Sequence, residues 1–462
     1  MHTVRAMIVA LAAFACVAAV AGQETGNKPV GPYAAIGAED SSSKPNQVDA
    51  AQLSPDSNAV TGVQLLTLGH ARQVHSLLQP SFSFSQAVDT NPAAITASGR
   101  DYVSYFTGDL SLQRRHAQDS FVLDYNGGAT LYQHNTGYNS SFHRLNAMQA
   151  FSLRRWQLTF ANRFEFTPES RFGFAGFAAT GETLRPELLP NQSFLDGHNE
   201  RWTNTAATDV EYRLSARSSA TASFSFGMLR YLDDALRTRA TNQWSASAGF
   251  DHQFGSRNTL AMQYSHARFD YRAQVFNVET DSASLVFARR VTGRLSFELR
   301  GGPQIIRMGG LWSLGPAAAS LDPTALSYTA GGSVLYQRGH YDISLSGSRF
   351  TSGGAGGMQG AHTTTAQGAI ARTLGRSWRA DVAGGYTRNE RLGRFAPDQM
   401  IASLYGSVRL SRDLTRSVGT FVNYNVQHQD AVTGCSSVFC SNQLRHIVTI
   451  GIDWRPRPLS LE

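Results

Sequence analysis

The sequence has almost no lysine and little charge of either sign. Lys28 and Lys44 are the only lysines among 41 basic residues, so arginine supplies nearly all of the positive charge. Charged residues make up 16% of the chain, below the quarter or so that is usual for soluble domains. A cytosolic surface normally uses lysine, so this composition argues against a cytosolic enzyme. With 42% hydrophobic residues, the chain is also too apolar to be disordered.

Long hydrophobic runs are missing, except for one at the N-terminus. Residues 6–21 are apolar and follow a short basic start, and the triplet 19–21 has the small-x-small pattern of a cleavage site. We predict a signal peptide over residues 1–21. The alternatives are a membrane anchor, for which the run is short, and a lipoprotein acceptor at Cys16, before which the usual leucine is missing. No other stretch predicts a membrane-spanning helix.

Cysteine is scarce, with three in the chain. Cys16 leaves with the predicted signal peptide, so the mature chain keeps Cys435 and Cys440. In an exported protein this pair predicts a small disulfide loop. The alternative is a metal site that includes His428 and His446, but the spacing is not a common zinc pattern. We therefore predict no metal site.

Residues 22–75 have the composition of a flexible periplasmic segment. Residues 22–60 are rich in Gly, Pro, Ser, Asn, Asp and Ala, which bury too little apolar surface to offset the loss of chain entropy. Residues 62–69 are the one ordered-looking stretch. We interpret them either as a short element docked on the main domain or as a plug or partner contact.

From about residue 76 onward, apolar and polar residues alternate with a period of two. Trp156, Leu158 and Phe160 alternate with polar residues, and similar runs recur along the rest of the chain. This alternation is typical of β-strands with one apolar face. The sequence therefore predicts an all-β domain over residues 76–455 and a short tail over residues 456–462.

The connections between the predicted strands alternate in length. Short turns that carry arginine, such as the one at 154–155, alternate with longer segments such as Asp89–Gly99, Pro168–Trp202 and Phe269–Thr280. Short turns on one side and long loops on the other are typical of outer-membrane barrels, whereas a soluble sandwich has no reason to sort its loops. Eight short turns and nine long segments predict a closed antiparallel transmembrane β-barrel of about 18 strands (16–18), with short periplasmic turns and long extracellular loops.

Two strands carry a resemblance to known families. The last predicted strand places four residues on one face and ends on an aromatic residue, which resembles the C-terminal assembly signal of bacterial outer-membrane proteins, although that signal usually ends the chain. These residues are Val448, Ile450, Ile452 and Trp454. The resemblance implies the barrel-assembly machinery as a partner. The first predicted strand, residues 80–86, resembles barrel porins associated with exopolysaccharide gene clusters, which implies a porin-like channel.

The polar face of the predicted strands supplies candidates for the lining of a channel. At about 18 strands a barrel is wide enough to hold water. We interpret the inward charges either as internal ion pairs or as acidic and basic ladders that set selectivity. These lumen-lining candidates are Asp109, Asp124, Arg163, Glu165, Asp209, Glu211, Arg213, Asp251, Glu298, Arg300, Asp342, Arg379, Asp381 and Arg409. Tyr105, Tyr132 and Tyr405 are also predicted to face inward, where they either fill space or stack on sugar rings.

The longest predicted loop and the turn arginines have separate interpretations. Residues 168–202 carry Phe172, Phe174 and Phe177 among glycines, and this loop either folds inward as a constriction or caps the outer mouth. The turn arginines are expected to anchor the barrel at anionic phospholipid headgroups. Because no clustered basic patch with a recognisable fold is present, no nucleic-acid partner is predicted.

These observations predict an outer-membrane channel for polar solutes, with polysaccharide export as the more specific hypothesis. A structural or surface-adhesive barrel without conduction is one alternative. An embedded hydrolase is the other, but the sequence has no Gly-x-Ser-x-Gly, His-Glu-x-x-His or phosphate-loop motif. We therefore predict no catalytic residue and no cofactor. The expected partners are outer-membrane lipid and lipopolysaccharide, the assembly machinery and, for export, periplasmic components.

Overall fold

The computed structural model describes residues 76–92, 99–116, 118–168, 200–232, 240–271, 277–309, 324–353, 360–392, 400–432 and 443–460. They form eighteen long strands and one short one: β1 (Leu77–Asp89), β2 (Asp101–Arg115), β3 (Asp119–Tyr132), β4 (Ser140–Ser152), β5 (Trp156–Pro168), β6 (Glu200–Arg213), β7 (Ser218–Tyr231), β8 (Thr241–Phe254), β9 (Asn258–Tyr271), β10 (Asn277–Arg290), β11 (Leu295–Gly309), β12 (Thr324–Arg338), β13 (Tyr341–Ser352), β14 (Ala361–Leu374), β15 (Trp378–Arg391), β16 (Met400–Asp413), β17 (Val418–Val432), β18 (Gln443–Trp454) and β19 (Leu459–Ser460). Within these residues no helix has the length and hydropathy needed to cross a membrane.

Each of the eighteen long strands pairs in antiparallel fashion with its neighbours in the chain, and the ring closes between β1 and β18. In this closing pair Phe82 lies opposite Trp454, and Val88 lies opposite Val448. Every long strand therefore has a partner on both sides, which satisfies backbone groups that lipid could not. The predicted closed antiparallel barrel is confirmed, with 18 strands.

The period-two alternation decides which face of each strand is apolar. On β5, Trp156 and Phe160 are exposed on the outer face, whereas Arg163 is buried on the inner face. Large apolar side chains are exposed in the same way on strands all round the ring, among them Leu285 and Ile450. An apolar outer surface that encloses a polar interior is the arrangement of a barrel surrounded by lipid.

The connections differ in length at the two ends of the barrel. At one end the turns are short, from the two residues 339–340 to the four residues 214–217; we call this the turn end. Gly339 and Gly375 begin two of these turns with φ values of 56° and 69°, which side chains disfavour. At the other end, the loop end, connections run from residues 272–276 up to residues 169–199.

Aromatic pairs border the apolar outer face at the turn end. The rings of Trp156 and Tyr212 lie 4.6 Å apart, and those of Phe82 and Trp454 stack at 5.7 Å. Aromatic girdles of this kind sit at membrane interfaces. From the usual strand spacing and tilt, a ring of 18 strands is about 35 Å across between backbones.

Several strands extend further toward the loop end than the sequence predicts. The segment Phe269–Thr280 is predicted as a loop, yet β9 continues to Tyr271 and β10 begins at Asn277. The reason is that polar residues face outward there, so the apolar alternation stops before the strands do. At the turn end, the C-terminal tail adds the short strand β19, in which Leu459 and Ser460 pair with the start of β1.

Candidate functional site

The candidate site is the bore of the barrel, whose wall is lined mainly by short polar side chains. On β7 and β8, Ser223 and Ser247 lie 2.6 Å apart, and Ser225 and Ser245 lie 2.8 Å apart between hydroxyl oxygens. Ser344 on β13 belongs to a similar row of inward hydroxyls. Hydroxyl groups both donate and accept hydrogen bonds. The wall can therefore hold water and polar solutes, and short side chains leave the interior wide.

The structure places all fourteen predicted lumen candidates on the inner face. Each alternates with outward apolar neighbours: Asp251, for example, is buried next to the exposed Phe250. By strand, the candidates are Asp109 on β2; Asp124 on β3; Arg163 and Glu165 on β5; Asp209, Glu211 and Arg213 on β6; Asp251 on β8; Glu298 and Arg300 on β11; Asp342 on β13; Arg379 and Asp381 on β15; and Arg409 on β16. Their part in selectivity stays a prediction.

Charge is distributed unevenly along the bore. In the half of each strand nearer the turn end, the described inner face carries ten carboxylates and five guanidiniums. These are Asp109, Asp124, Asp209, Glu211, Asp251, Glu298, Asp342, Asp381, Asp413 and Asp453, with Arg213, Arg290, Arg300, Arg379 and Arg409. In the loop-end half the order is reversed, with Asp89, Asp101 and Glu165 against Arg144, Arg163, Arg201, Arg391 and Arg445. Among the described residues, the inner face is thus acidic toward the turns and basic toward the loops.

Two of the acidic groups near the turn end are hydrogen-bonded by neutral donors. Ser81 donates to Asp109 at 3.1 Å, and Ser111 donates to Asp124 at 2.7 Å. A hydroxyl stabilises a carboxylate without cancelling its charge. Other acids are paired: Arg379 donates to Asp381 at 2.9 Å. Serines of the neighbouring strands thus hold these two carboxylates in place on the wall at β2 and β3.

The basic part of the bore centres on one carboxylate between arginines of β4 and β5. The Oε1 atom of Glu165 lies 2.7 Å from Nη2 of Arg163 and 3.0 Å from Nε of Arg144. Arg201 of β6 lies on the same inner face. Among the described residues, three guanidiniums thus lie with a single carboxylate in this sector of the wall.

Near the loop end, the end of β13 leans into the bore. The Tyr271 hydroxyl on β9 donates to the Gly353 carbonyl at 2.6 Å, and Thr351 donates to Gln304 on β11 at 2.7 Å. In a ring of this size, wall positions four strands apart are separated by roughly 20 Å. The loop-end parts of β13 and β14, next to Gly353 and Gly360, therefore lean away from the wall toward β9 and β11.

An apolar cluster packs beside the end of β13 that leans into the bore. Buried inner-face side chains of β9 to β11 pack with Leu392, which follows β15; the cluster is Phe269, Tyr271, Val278, Ile306, Met308 and Leu392. Leu392 also donates its backbone N–H to Gly360 at 3.2 Å. Nothing in the sequence signals this cluster, because Leu392 is far along the chain from all of its other members. The cluster narrows the loop end of the bore.

A buried ion pair lies at the seam where the barrel closes. Nε of Arg445 on β18 donates to both carboxylate oxygens of Asp89 on β1 at 3.0 Å. The side chains are 1% and 0% exposed. Tyr105 and Tyr132 belong to the apolar cluster beside this pair, so their rings pack in the wall. This pair is a feature that sequence reasoning missed.

Other predicted features have mixed positions. Val448, Ile450, Ile452 and Trp454 all point outward from β18, and their role as an assembly signal stays a prediction. Residues 1–75, the loop with Phe172, Phe174 and Phe177, and the pair Cys435 and Cys440 lie outside the described residues. Within the described ranges, no group of three or more His, Cys, Asp and Glu residues could hold a metal ion.

Comparison with known proteins gives matches to solved structures alone. No protein-family model matches the sequence, and no curated protein sequence matches it. The chain is similar to the outer membrane protein OpdK of Pseudomonas aeruginosa, with a TM-score of 0.41, 11% identity and coverage of 82% of this chain and 99% of that one. It is also similar to OccK2 (OpdF) of the same organism, with a TM-score of 0.42, 10% identity and coverage of 82% and 98%.

A third similar structure is OccAB3 of Acinetobacter baumannii, with a TM-score of 0.40, 9% identity and coverage of 83% and 99%. At these identities and scores, the fold of this chain rests on its own strand pairing. The resemblance of the first strand to barrels of exopolysaccharide gene clusters gains no support from these matches. A closed ring of an even number of antiparallel strands, apolar outside and polar inside, is the form in which bacterial chains span the outer membrane. The chain is a transmembrane β-barrel of the cell outer membrane.

Proposed function

We propose that the barrel is a channel for small polar solutes. The observation that carries this proposal is the lining of the bore, where short hydroxyl and amide side chains alternate with the apolar residues of the outer face. A barrel that only anchors a surface structure has no need of a wide wall of Ser, Thr, Asn and Gln. With 18 strands, such a lining encloses more volume than these side chains fill.

The charge pattern supports a more specific form of the proposal. Among the described residues, carboxylates outnumber guanidiniums two to one in the turn half of the bore, and fixed charges on a pore wall favour the opposite ion. We propose that the turn half favours cations, while the arginines around Glu165 form a short zone of opposite sign. A charged solute then meets two potentials of different sign on its way through.

Polysaccharide export is the less favoured form of the channel hypothesis. The end of β13 that leans into the bore and the apolar cluster at Phe269 narrow the loop end, which suits small solutes better than a thick polymer. The other two functions, an adhesive barrel and an embedded hydrolase, have no specific observation in their favour among the described residues.

Planar-bilayer recording of the purified chain tests the proposal. We expect stepwise current and, in a salt gradient, a reversal potential with the sign of a cation-preferring pore. The double variant Asp109→Asn with Asp124→Asn should move the reversal potential toward the value of an anion-preferring pore, because it removes two carboxylates from the turn half. A bilayer that shows no stepwise current after folded protein is added would contradict the channel hypothesis.

The matched control removes a carboxylate from the outside of the wall. Asp430 alternates with the inward Gln429 on β17, so it faces outward. Asp430→Asn should leave the reversal potential unchanged. Liposome swelling with solutes of increasing size separates the two channel hypotheses. A polysaccharide exporter should let long oligosaccharides enter and swell the liposomes, whereas a channel for small solutes should not.

A further inference from the structure

Two arginines at the turn end face outward and lie over aromatic rings. The guanidinium of Arg372 on β14 lies 4.7 Å from the centre of the Tyr341 ring on β13. The guanidinium of Arg412 on β16 lies 5.2 Å from the centre of the Trp378 ring on β15. Both pairs join neighbouring strands, and the two pairs occupy four consecutive strands of the wall. Arg338 on β12 lies opposite Tyr341 and extends the row.

We call Arg338, Tyr341, Arg372, Trp378 and Arg412 the rim patch. All five alternate with inward residues on their strands, and Trp378 is 39% exposed on the outer face. Tyr341 and Trp378 begin their strands at the turn end, and the three arginines lie at or next to the turn ends of theirs. The patch therefore sits where the apolar outer face ends and lipid headgroups begin.

Carboxylates are excluded from this sector of the outer face. The nearest acidic residues in the sequence, Asp342, Asp381 and Asp413, all lie on the inner face of their strands. Among the described residues, neither Arg372 nor Arg412 forms a salt bridge. In this sector the described outer face near the turn end carries arginines and no carboxylate, whereas the acids lie on the inner face, together with Arg379 and Arg409.

The chemistry of the patch fits a phosphodiester. Guanidinium groups bind phosphate oxygens in two-point geometry, and the rings beneath hold each guanidinium in place while offering apolar surface to acyl chains. Arg372 and Arg412 are carried by strands two apart, about 10 Å between backbones, so their long side chains can reach one headgroup. Short turns face the periplasm, where the leaflet is made of phospholipid.

We propose that the rim patch is a binding site for an anionic phospholipid of the periplasmic leaflet. The phosphate lies between Arg372 and Arg412, and the acyl chains run along the apolar face above Tyr341 and Trp378. This site is on the outside of the barrel and is independent of what passes through the bore.

Native mass spectrometry of the detergent-purified full chain tests the proposal, with phosphatidylglycerol as the probe and phosphatidylethanolamine as the zwitterionic comparison. We expect phosphatidylglycerol to be bound in preference. Arg372→Gln with Arg412→Gln should weaken its binding about 30-fold, which corresponds to the usual contribution of two arginines near an anionic lipid surface. Arg412→Gln alone should weaken binding about fivefold.

The matched control removes the same charge from the same rim outside the patch. Arg114 on β2 and Arg289 on β10 also face outward near the turn end. Arg114→Gln with Arg289→Gln should change binding by less than about threefold, because diffuse charge acts weakly beyond a Debye length. Equal losses in both double variants would mean diffuse attraction and would overturn the site.

Three further outcomes are decisive. Binding of phosphatidylethanolamine as tight as that of phosphatidylglycerol, or full retention by the Arg372/Arg412 double variant, contradicts the proposal. Displacement of the lipid by excess inorganic phosphate would assign the arginines to a free anion instead. Heat-dependent mobility on gels checks that each variant is folded, and the single Arg412→Gln variant keeps the test valid if the double variant does not assemble.

Discussion

The ion pair at the closing seam allows a quantitative prediction. Asp89→Ala leaves the Arg445 guanidinium buried without its carboxylate partner. Because Arg445 is 1% exposed, water cannot replace the lost interaction without opening the cluster around Tyr132. Removing one partner of a buried pair costs about 3–5 kcal/mol. We therefore expect Asp89→Ala to lower the free energy of unfolding by about that amount.

Replacing both partners should cost much less. In Asp89→Leu with Arg445→Met, no charge remains to be desolvated, and apolar replacements of buried pairs are often neutral or stabilising. We expect the double variant to be more stable than Asp89→Ala. The measurement is urea-driven unfolding in lipid vesicles, followed by tryptophan fluorescence and fitted to linear extrapolation.

A more exposed pair in the bore is the control. Arg409 lies 3.1 Å from Asp453, with side chains 38% and 11% exposed, and Asp453 also has Arg455 at 3.2 Å. Arg409→Met should cost about 1 kcal/mol or less, since such pairs are screened by water. The reasoning is refuted if Asp89→Ala costs no more than this control, or if the double variant at the seam is as unstable as the single one.

Two other predictions concern the loop end and the last strand. Phe269→Ala removes a buried ring from the apolar cluster at the loop end. We expect a stability loss of about 3–5 kcal/mol, together with a larger unit conductance and faster liposome swelling. Unchanged conductance with the same loss of stability would mean that the cluster does not limit the width of the bore. Trp454→Ala removes the ring that stacks on Phe82, so we expect about 0.5–1.5 kcal/mol less stability beyond the lost burial, measured by urea unfolding, with Trp378→Ala as the comparison at a site away from the seam.

The strand architecture could be predicted because one physical rule applies along the whole barrel. A strand in lipid must alternate, so Trp156 and Phe160 identify the outer face of β5 and thereby place Arg163 inside. The same rule fails at the loop end. Beyond the membrane, outward residues such as Arg268 and Glu279 are polar and form a salt bridge at 3.0 Å, so the strand continues without the pattern that reveals it.

The contacts inside the bore could not be predicted for a different reason. Asp89 and Arg445 are separated by 356 positions, and they meet because the ring closes at one register and not another. The Tyr271 hydroxyl donates to the Gly353 carbonyl because the end of β13 leans away from the wall. Alternation determines the face of a residue but carries no information about which inward side chains meet across the interior.

The pairing of the tail with the first strand has a topological consequence. Leu77 lies opposite Ser460 in an antiparallel ladder, so the start of β1 and the end of β19 stand within about 5.5 Å of each other between Cα atoms. A peptide of a few residues would be long enough to join residue 460 to residue 76. The barrel would then be a covalent circle in which any of the long connections can be cut to give new termini, while every strand keeps both of its neighbours.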